Sequence, residues 1–213
     1  MDEIDLVRIR RTYELTDLRE DTISGNPIDQ LQRWLQDAHN AGVLEPNAMC
    51  VCTARNGRPS GRIVLLRGLD ERGLVFYTSY FSRKGQEIAV NPHAAAVFYW
   101  PLLERQVRVE GDVDQLPEDE SDAYFAGRPR GHQIGAWASE QSEPVESREI
   151  LDQRVRDYSE RFEGDDVPRP HSWGGFVIKP QRFEFWQGRP NRMHDRIEFT
   201  QNLGRWSMRR LQP

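Results

Sequence analysis

An Asn-Gly pair at positions 56 and 57 separates two β-rich runs, AMCVCTA before it and GRIVLLRGL after it. Both residues tolerate the positive φ angles of a two-residue primed turn, so the pair is the strongest short-range hairpin signal in the chain. A second turn cluster at 70–73 precedes LVFYTS, and together these runs predict three antiparallel strands. Beyond Pro92, AAAVFYW and LERQVRVEGDVDQL supply two more. The C-terminal part returns to strands in WGGFVIKP, RFEFWQG, RMHDRIEFT and RWSMRRL, with turns at 188–191 and 201–204.

Helices are inserted between these strands and do not alternate with them. Asn26 and Pro27 read as N-cap and first helical residue, Ile28, Leu31, Leu35 and Ala38 follow at helical spacing, and Gly42 ends the run. Residues 82–91 predict a short helix stopped by Pro92, and Pro117 opens another. A longer helix around 145–163 carries Ile150, Leu151, Val155, Tyr158 and Phe162 on one stripe, and the polar, glycine-containing segment 128–144 before it reads as a connection. About eight strands with inserted helices exclude a doubly wound parallel sheet and predict an α+β fold, mainly antiparallel β, as a barrel with peripheral helices. With 213 residues and 37% hydrophobic content the expectation is one domain, 1–213, with 1–25 as an N-terminal arm or helix.

Charge narrows the function. Twenty-nine Lys and Arg against 34 Asp and Glu leave a net charge of -5, which disfavours nucleic acid or an anionic membrane as the partner of the whole surface. No apolar run is long enough to span a bilayer and the N-terminus lacks an apolar signal core, so the expected location is cytoplasmic. Only two cations are lysines, Lys84 and Lys179. Cys50 and Cys52 share a strand face without further Cys or His partners, which favours a buried structural role and no metal site.

Four constellations could carry chemistry. Ser82-Arg83-Lys84-Gly85 opens a helix, where free N–H groups and the positive dipole end favour a phosphate. Arg62 and Arg67 bracket the strand Ile63-Val64-Leu65-Leu66. Singly these are ordinary solvated charges; together they outline a phosphate pocket without a Walker or dinucleotide loop. On the strand 104–110, Gln106 shares a face with Arg108 and Glu110 and can both donate to and accept from a heterocycle edge, although a polar outer face explains the pattern as well. Tyr124 and Arg128 lie four apart with Arg130, His132, Gln141 and Ser142 beyond, a grip for a second phosphate or an ordinary helix end. Finally, strand spacing would put Arg192, His194 and Arg196 on one face near Trp186, a stack of cations that needs an anion or π system over it. Asp195 then points away and does not orient His194.

These residues carry a resemblance. R-I-V-L-L-R at 62–67, F-Y-T-S at 76–79, S-R-K-G at 82–85, E-R-Q-V at 104–107, R-P-R-G-H-Q-I-G-A-W-A-S at 128–139, E-F-W-Q-G at 184–188 and R-M-H-D-R at 192–196 resemble the pyridoxine/pyridoxamine 5'-phosphate oxidase family. The resemblance implies an FMN-binding split β-barrel of Greek-key type. It also implies a homodimer with FMN at the subunit interface, oxidising pyridoxamine or pyridoxine 5'-phosphate to pyridoxal 5'-phosphate. O2 would accept the electrons to give H2O2, and the amine would release ammonia. It places FMN on Arg62, Ile63, Val64, Leu65, Leu66, Arg67, Tyr77, Thr78, Arg83, Lys84 and Gln106, with Gln141, Ser142, Trp186 and Arg196 added from the other subunit. Substrate would meet Arg67, Tyr124, Arg128, His132, Arg192, Met193 and His194, under an arm carrying Arg10 and Tyr13, with Arg192 and His194 as the catalytic pair. Arg67 stands where the family commonly has Lys, and His132 where it often has Ser. Two alternatives stay open: a flavin oxidase of the phenazine-biosynthesis type acting on another substrate, and a non-catalytic binder of FMN or pyridoxal phosphate.

Overall fold

The computed structural model describes Asp5, Arg8 and residues 11–213. Contacts divide the chain into two units, 49–96 with 110–180, and 1–48 with 97–109 and 181–213. Nine strands are seen among the described residues: β1 (Ala48–Arg55), β2 (Arg58–Leu65), β3 (Gly68–Asp70), β4 (Gly73–Ser79), β5 (His93–Trp100), β6 (Arg105–Gln115), β7 (Trp173–Gln187), β8 (Asp195–Asn202) and β9 (Arg205–Leu211). Hydrogen-bonded neighbours follow the order β2-β1-β5-β6-β7-β4-β3, with β8 paired to β7 and β9 to β8. The ladders of β3–β4, β4–β7, β7–β8 and β8–β9 are antiparallel.

In the unit built on 49–96 and 110–180, the hairpin forms where the sequence puts it. Asn56 and Gly57 have φ of 52° and 73°, the left-handed pair a primed turn requires. Along β1 the buried residues are Met49, Val51 and Thr53, so Cys50 and Cys52 lie on the other, half-buried face. That corrects the expected buried role: the thiols sit 4.0 Å apart, free. The run GRIVLLRGL is also not one strand. It leaves the ladder at Leu66–Arg67, where the Arg67 N–H donates to the Val75 carbonyl, and resumes as β3 beside β4. A straight continuation would have lined up β2 with β4, but the second neighbour of β4 is β7, from Leu74↔Ile178 to Ser79↔Trp173.

Four helices belong to this unit, and the last three of them frame an aromatic core. Helix α2 (Arg83–Val90) starts on the Ser82 side chain, which accepts from the Gly85 N–H. Helix α3 (Glu118–Ala126) has three acidic residues in its first turn, complementing the helix dipole. Residues Arg130–Ala138, expected as a connection, form helix α4, and α5 (Arg148–Arg161) follows. Phe125, Ile134, Phe162, Val167 and Trp173 form a buried cluster, against which Tyr77, Tyr124, Trp137 and Tyr158 pack. The predicted stripe of α5 is only marginal, because no residue within the helix is fully buried and its buried anchor, Phe162, lies just past its end.

The other unit contains α1 (Pro27–Asn40), capped by the Asn26 side chain accepting from the Ile28 N–H, with Pro27 at the first turn. Its buried stripe is Leu31, Trp34 and Ala38, with Ile28 and Leu35 at the rim. Trp34 meets Trp100 and Phe185 edge-on, at 6.5 and 5.2 Å between centroids. No helix is present among residues 11–25; this stretch is an arm tied through its backbone. The N–H groups of Glu14 and Leu15 donate to one carboxylate oxygen of buried Glu104 at 2.9 and 3.1 Å, and that of Leu18 donates to Asp195 at 3.1 Å.

Candidate functional site

The unit holding β1–β4 contains a cavity of about 1120 Å³. Five cations line it, Arg62, Arg67, Arg83, Lys84 and Arg128, and no Asp or Glu is among its lining residues. The strand residues Ile63, Val64 and Leu65 form one wall, Tyr77 and Thr78 a second, and Tyr124, His132, Gln141 and Ser142 close the far side. Fourteen of the residues singled out in the sequence thus meet around one space. Leu66 is buried and faces away from it; Gln106 belongs to the other unit.

Lys84 is the most constrained of the cations. Only 6% of it is exposed, and its ammonium donates to Thr78 Oγ1 at 2.9 Å and to Ser82 Oγ and Gln141 Oε1 at 3.3 Å, all neutral acceptors. Burial, with the Arg62 charge second, pulls its pKa down to about 8. Gln141 also accepts from the Thr78 hydroxyl at 2.8 Å, so this chain's own Gln141 belongs to this cavity. The assignment of Gln141 and Ser142 to the other subunit is corrected accordingly: the segment after α4 folds back to β4 of its own chain.

On the aromatic side, Tyr77 and Tyr124 stack at 3.7 Å with 4° between planes, and Trp173 continues the stack 5.6 Å from Tyr77. Arg128 lies with its guanidinium 4.4 Å from the Trp173 ring centroid, and its Nη1 is buried without a hydrogen-bond partner. A buried guanidinium N–H with nothing to donate to is costly, and burial lowers the Arg128 pKa. A ligand anion would supply the missing acceptor.

Behind the wall lies Glu87, which the sequence reading did not single out. It is 4% exposed, and Oε2 accepts from Thr53 and Ser60 hydroxyls at 2.5 Å each and from Arg62 at 3.3 Å, while Oε1 accepts from Arg83 Nε at 2.9 Å. Burial would raise its pKa, but the hydroxyl donors, then Arg83 and Arg62, hold it at about 2. The only sequence signal was the Arg83–Glu87 spacing of four. Trp173 was likewise missed, since a tryptophan at a strand start reads as core.

The remaining residues form a second cluster, in the other unit. Trp186 lies 4.6 Å from the His194 ring, and Tyr13 stands edge-on to both at 5.7 Å. Gly188 makes this possible, because a Cβ there would fall 2.7 Å from the Tyr13 ring. His194 Nδ1 accepts from the Arg189 backbone N–H at 3.1 Å, which leaves Nε2 to carry the proton of the neutral ring. Burial first, then Arg192, lowers the His194 pKa below its usual 6.5.

The expected stack of Arg192, His194 and Arg196 on one strand face is corrected. Residues Pro190–Arg192 are a 3-10 turn, Asn191 and Arg192 have φ of 55° and 63°, and β8 starts only at Asp195. Arg192 lines a small cavity with Arg11, Tyr13 and Arg189, and Met193 is exposed. Arg196 is held by both oxygens of buried Glu184, at 2.9 and 3.0 Å. Asp195 bonds Arg210 and the Leu18 N–H, not His194. Arg10 lies outside the described residues.

Comparison with known proteins fits this geometry. Residues 35–162 match the family described as pyridoxamine 5'-phosphate oxidase, and residues 173–213 match the pyridoxine 5'-phosphate oxidase C-terminal dimerisation region. A pyridoxine/pyridoxamine 5'-phosphate oxidase of Rubrobacter xylanophilus is 56% identical over 98% of this chain and 97% of its own, and one of Cupriavidus pinatubonensis is 51% identical over 98% and 99%. Among solved structures, PhzG from Burkholderia lata 383 in complex with tetrahydrophenazine-1-carboxylic acid has a TM-score of 0.89 at 31% identity, covering 95% of this chain and all of that one. A pyridoxamine 5'-phosphate oxidase-related, FMN-binding protein of Nostoc punctiforme has a TM-score of 0.71 at 18% identity over 90% of this chain and all of its own, a likeness of fold. The fold is thus that of the FMN-binding split-barrel proteins, and the chain belongs to the pyridoxamine 5'-phosphate oxidase family.

Proposed function

We propose that the protein is an FMN-dependent oxidase that converts pyridoxamine and pyridoxine 5'-phosphates to pyridoxal 5'-phosphate, with O2 reduced to H2O2 and ammonia released from the amine. The carrying observation is the cavity wall with five cations and no carboxylate, which keeps Lys84 buried on neutral partners and leaves an Arg128 N–H without an acceptor. Such a wall is built for anions, and both the cofactor and these substrates carry a phosphate.

In this reading Arg83 and Lys84, at the start of α2, hold the FMN phosphate, with Arg62 to Leu65, Tyr77, Thr78, Gln106, Gln141 and Ser142 along the rest of the cofactor, while Leu66 packs behind the wall and does not touch it. FMN supplies the two-electron acceptor. Arg67, Tyr124, Arg128 and His132 anchor the substrate phosphate. Arg192, Met193 and His194 hold the substrate ring, with Arg10 and Tyr13 over it. Trp186 and Arg196 of a second subunit complete the site, which makes the homodimer, formed through the C-terminal region, the active species. Two fixed phosphates convert an encounter into a held geometry, and this positioning is the protein's main catalytic contribution. Neutral His194 presents Nε2–H, suited to orienting the substrate or moving a proton.

A second reading is favoured by the likeness to PhzG: the same flavin chemistry on a tricyclic acid that lacks a phosphate. Pyridoxamine phosphate, pyridoxine phosphate and a reduced phenazine carboxylic acid, each given to the purified yellow protein, separate the readings. H2O2 and aldehyde from the first two support the vitamin substrates. Turnover of the third alone supports the PhzG-type activity, and retained FMN without product in any arm leaves a binding protein.

A further inference from the structure

We infer that Glu87 is a positioning residue, which from behind the cavity wall, with Arg62 as its brace, sets the direction in which Arg83 meets a phosphate at the start of α2. The inference rests on the reading of this cavity as an FMN site.

The two carboxylate oxygens have separate duties. Oε2 gathers donors from two strands, the Thr53 hydroxyl from β1 and the Ser60 hydroxyl and Arg62 Nη2 from β2. Arg62 donates in turn to both of those hydroxyl oxygens, at 2.6 and 2.5 Å, so each hydroxyl accepts from the arginine and passes its own proton towards Glu87. Arg62 is further fixed by the carbonyls of Val51 and Ser60. Oε1 serves Arg83 alone, through Nε.

Arg83 depends on this bond far more than Arg62 does. Its side chain is 66% exposed, and Glu87 is its one hydrogen-bond partner among the described residues. Binding through Nε fixes the plane of the guanidinium and leaves its Nη groups for a ligand. A free arginine side chain must lose rotamer freedom when it closes on a phosphate; one already held by Glu87 has lost it in folding. Glu87 does not line the cavity, so its negative charge orients the cations without facing the anion.

The test compares FMN with riboflavin, which lacks the phosphate, by flavin fluorescence titration of the apoprotein. Glu87→Gln can keep its amide oxygen on the Thr53 and Ser60 hydroxyls, which turns its NH2 towards Arg83 Nε, two donors face to face. The expected result is an FMN Kd weakened by about tenfold or more, the scale of one charge-assisted hydrogen bond, with riboflavin changed by less than about twofold. Arg83→Met should weaken FMN similarly, and the double variant no further, because both changes remove one guanidinium contact. Glu87→Asp, which keeps the charge but falls a methylene short of Arg83, serves where the amide variant folds poorly and should lower the FMN-to-riboflavin preference in the same sense. An unchanged preference in both Glu87 variants, or additive losses in the double variant, overturns the positioning role. Equal affinity of the wild-type protein for FMN and riboflavin overturns the phosphate-site reading itself, and the inference with it.

Discussion

Raising the pH through Lys84's titration should release the cofactor phosphate, and the size of the effect follows from its surroundings. The ammonium is buried on three neutral oxygens and its pKa falls from 10.5 to about 8. That difference corresponds to about 3 kcal/mol against the charged form among these neutral partners, at about 1.4 kcal/mol per pH unit. The sign is that of a depressed base. The cost is fully present below pH 8 and is relieved as pH rises from 8 to 10.5, where the folded protein has already lost the proton that the unfolded chain still holds. A dianionic phosphate binds the charged form, so FMN affinity should weaken by about tenfold between pH 7 and pH 9, with proton uptake on binding above pH 8. Fluorescence titration of apoprotein with FMN at pH 7, 8 and 9, and calorimetry in buffers of different ionisation enthalpy, measure both quantities. Lys84→Met should abolish the pH dependence, bind FMN more weakly at pH 7, and make the empty protein more stable at pH 7 than at pH 10 relative to wild type. A Kd flat from pH 7 to 9 in the wild-type protein, or an unchanged slope in Lys84→Met, would refute the reasoning.

Replacing Arg192 with Met should lower turnover of pyridoxamine phosphate by about a hundredfold or more, as expected for a lost charge-assisted contact at the reacting end, while FMN retention stays at the wild-type level in gel filtration. Gly188→Ala puts a methyl 2.7 Å from Tyr13 Cγ and 2.8 Å from its Cβ, the root of that side chain, so the arm carrying Tyr13 must itself shift. It should raise the substrate KM several-fold with little change in melting temperature, and a large loss of stability would mean that the arm is structural. Phe125→Ala empties the centre of the aromatic cluster around Trp173 and should cost about 3–5 kcal/mol in urea unfolding. Because the His194 pKa is depressed, its neutral form persists at pH 7 and is lost only as pH falls below 6.5. The acid limb of kcat/KM should therefore lie below pH 6.5 and disappear in His194→Asn.

What was legible in the sequence had a local cause. The Asn56-Gly57 turn, the Asn26 and Ser82 caps and the proline at the start of α1 are decided within a few residues, and each appears where its chemistry demands. Missed features had causes distant in sequence. Helix α4 carries Gly131 and Gly135 and starts without a side-chain cap, a poor helix by propensity. It forms because Ile134 enters the cluster with Phe125 and Trp173, and because Gln133 Nε2 bonds the Phe125 and Ala126 carbonyls at the end of α3. The break at Leu66–Arg67 follows from the pairing of β3 with β4, and the alternation of β1 could not say which of its faces would be buried. The motif residues, Glu184 among them, were easy to find, but Glu87, the carboxylate behind Arg62 and Arg83, looked like any other charge.

The turn before β8 shows why a periodic pattern fails where a side chain must be placed. Read as a strand, Arg192, His194 and Arg196 repel one another on one face; in the structure the chain avoids this by curling through Asn191 and Arg192 at positive φ. Asn accepts that region readily, but Arg gains nothing from it locally, and a non-glycine residue there costs of order 1–3 kcal/mol. Two contacts sustain the curl: the Met193 N–H donates to the Pro190 carbonyl, and the Arg189 N–H donates to His194 Nδ1. The second also fixes the His194 tautomer, so one strained turn directs Arg192 into the cavity beside Tyr13 and decides which imidazole nitrogen carries the proton. Relaxing Arg192 into a regular strand would lose both at once, and a sequence rule that maximises local regularity therefore errs at this point.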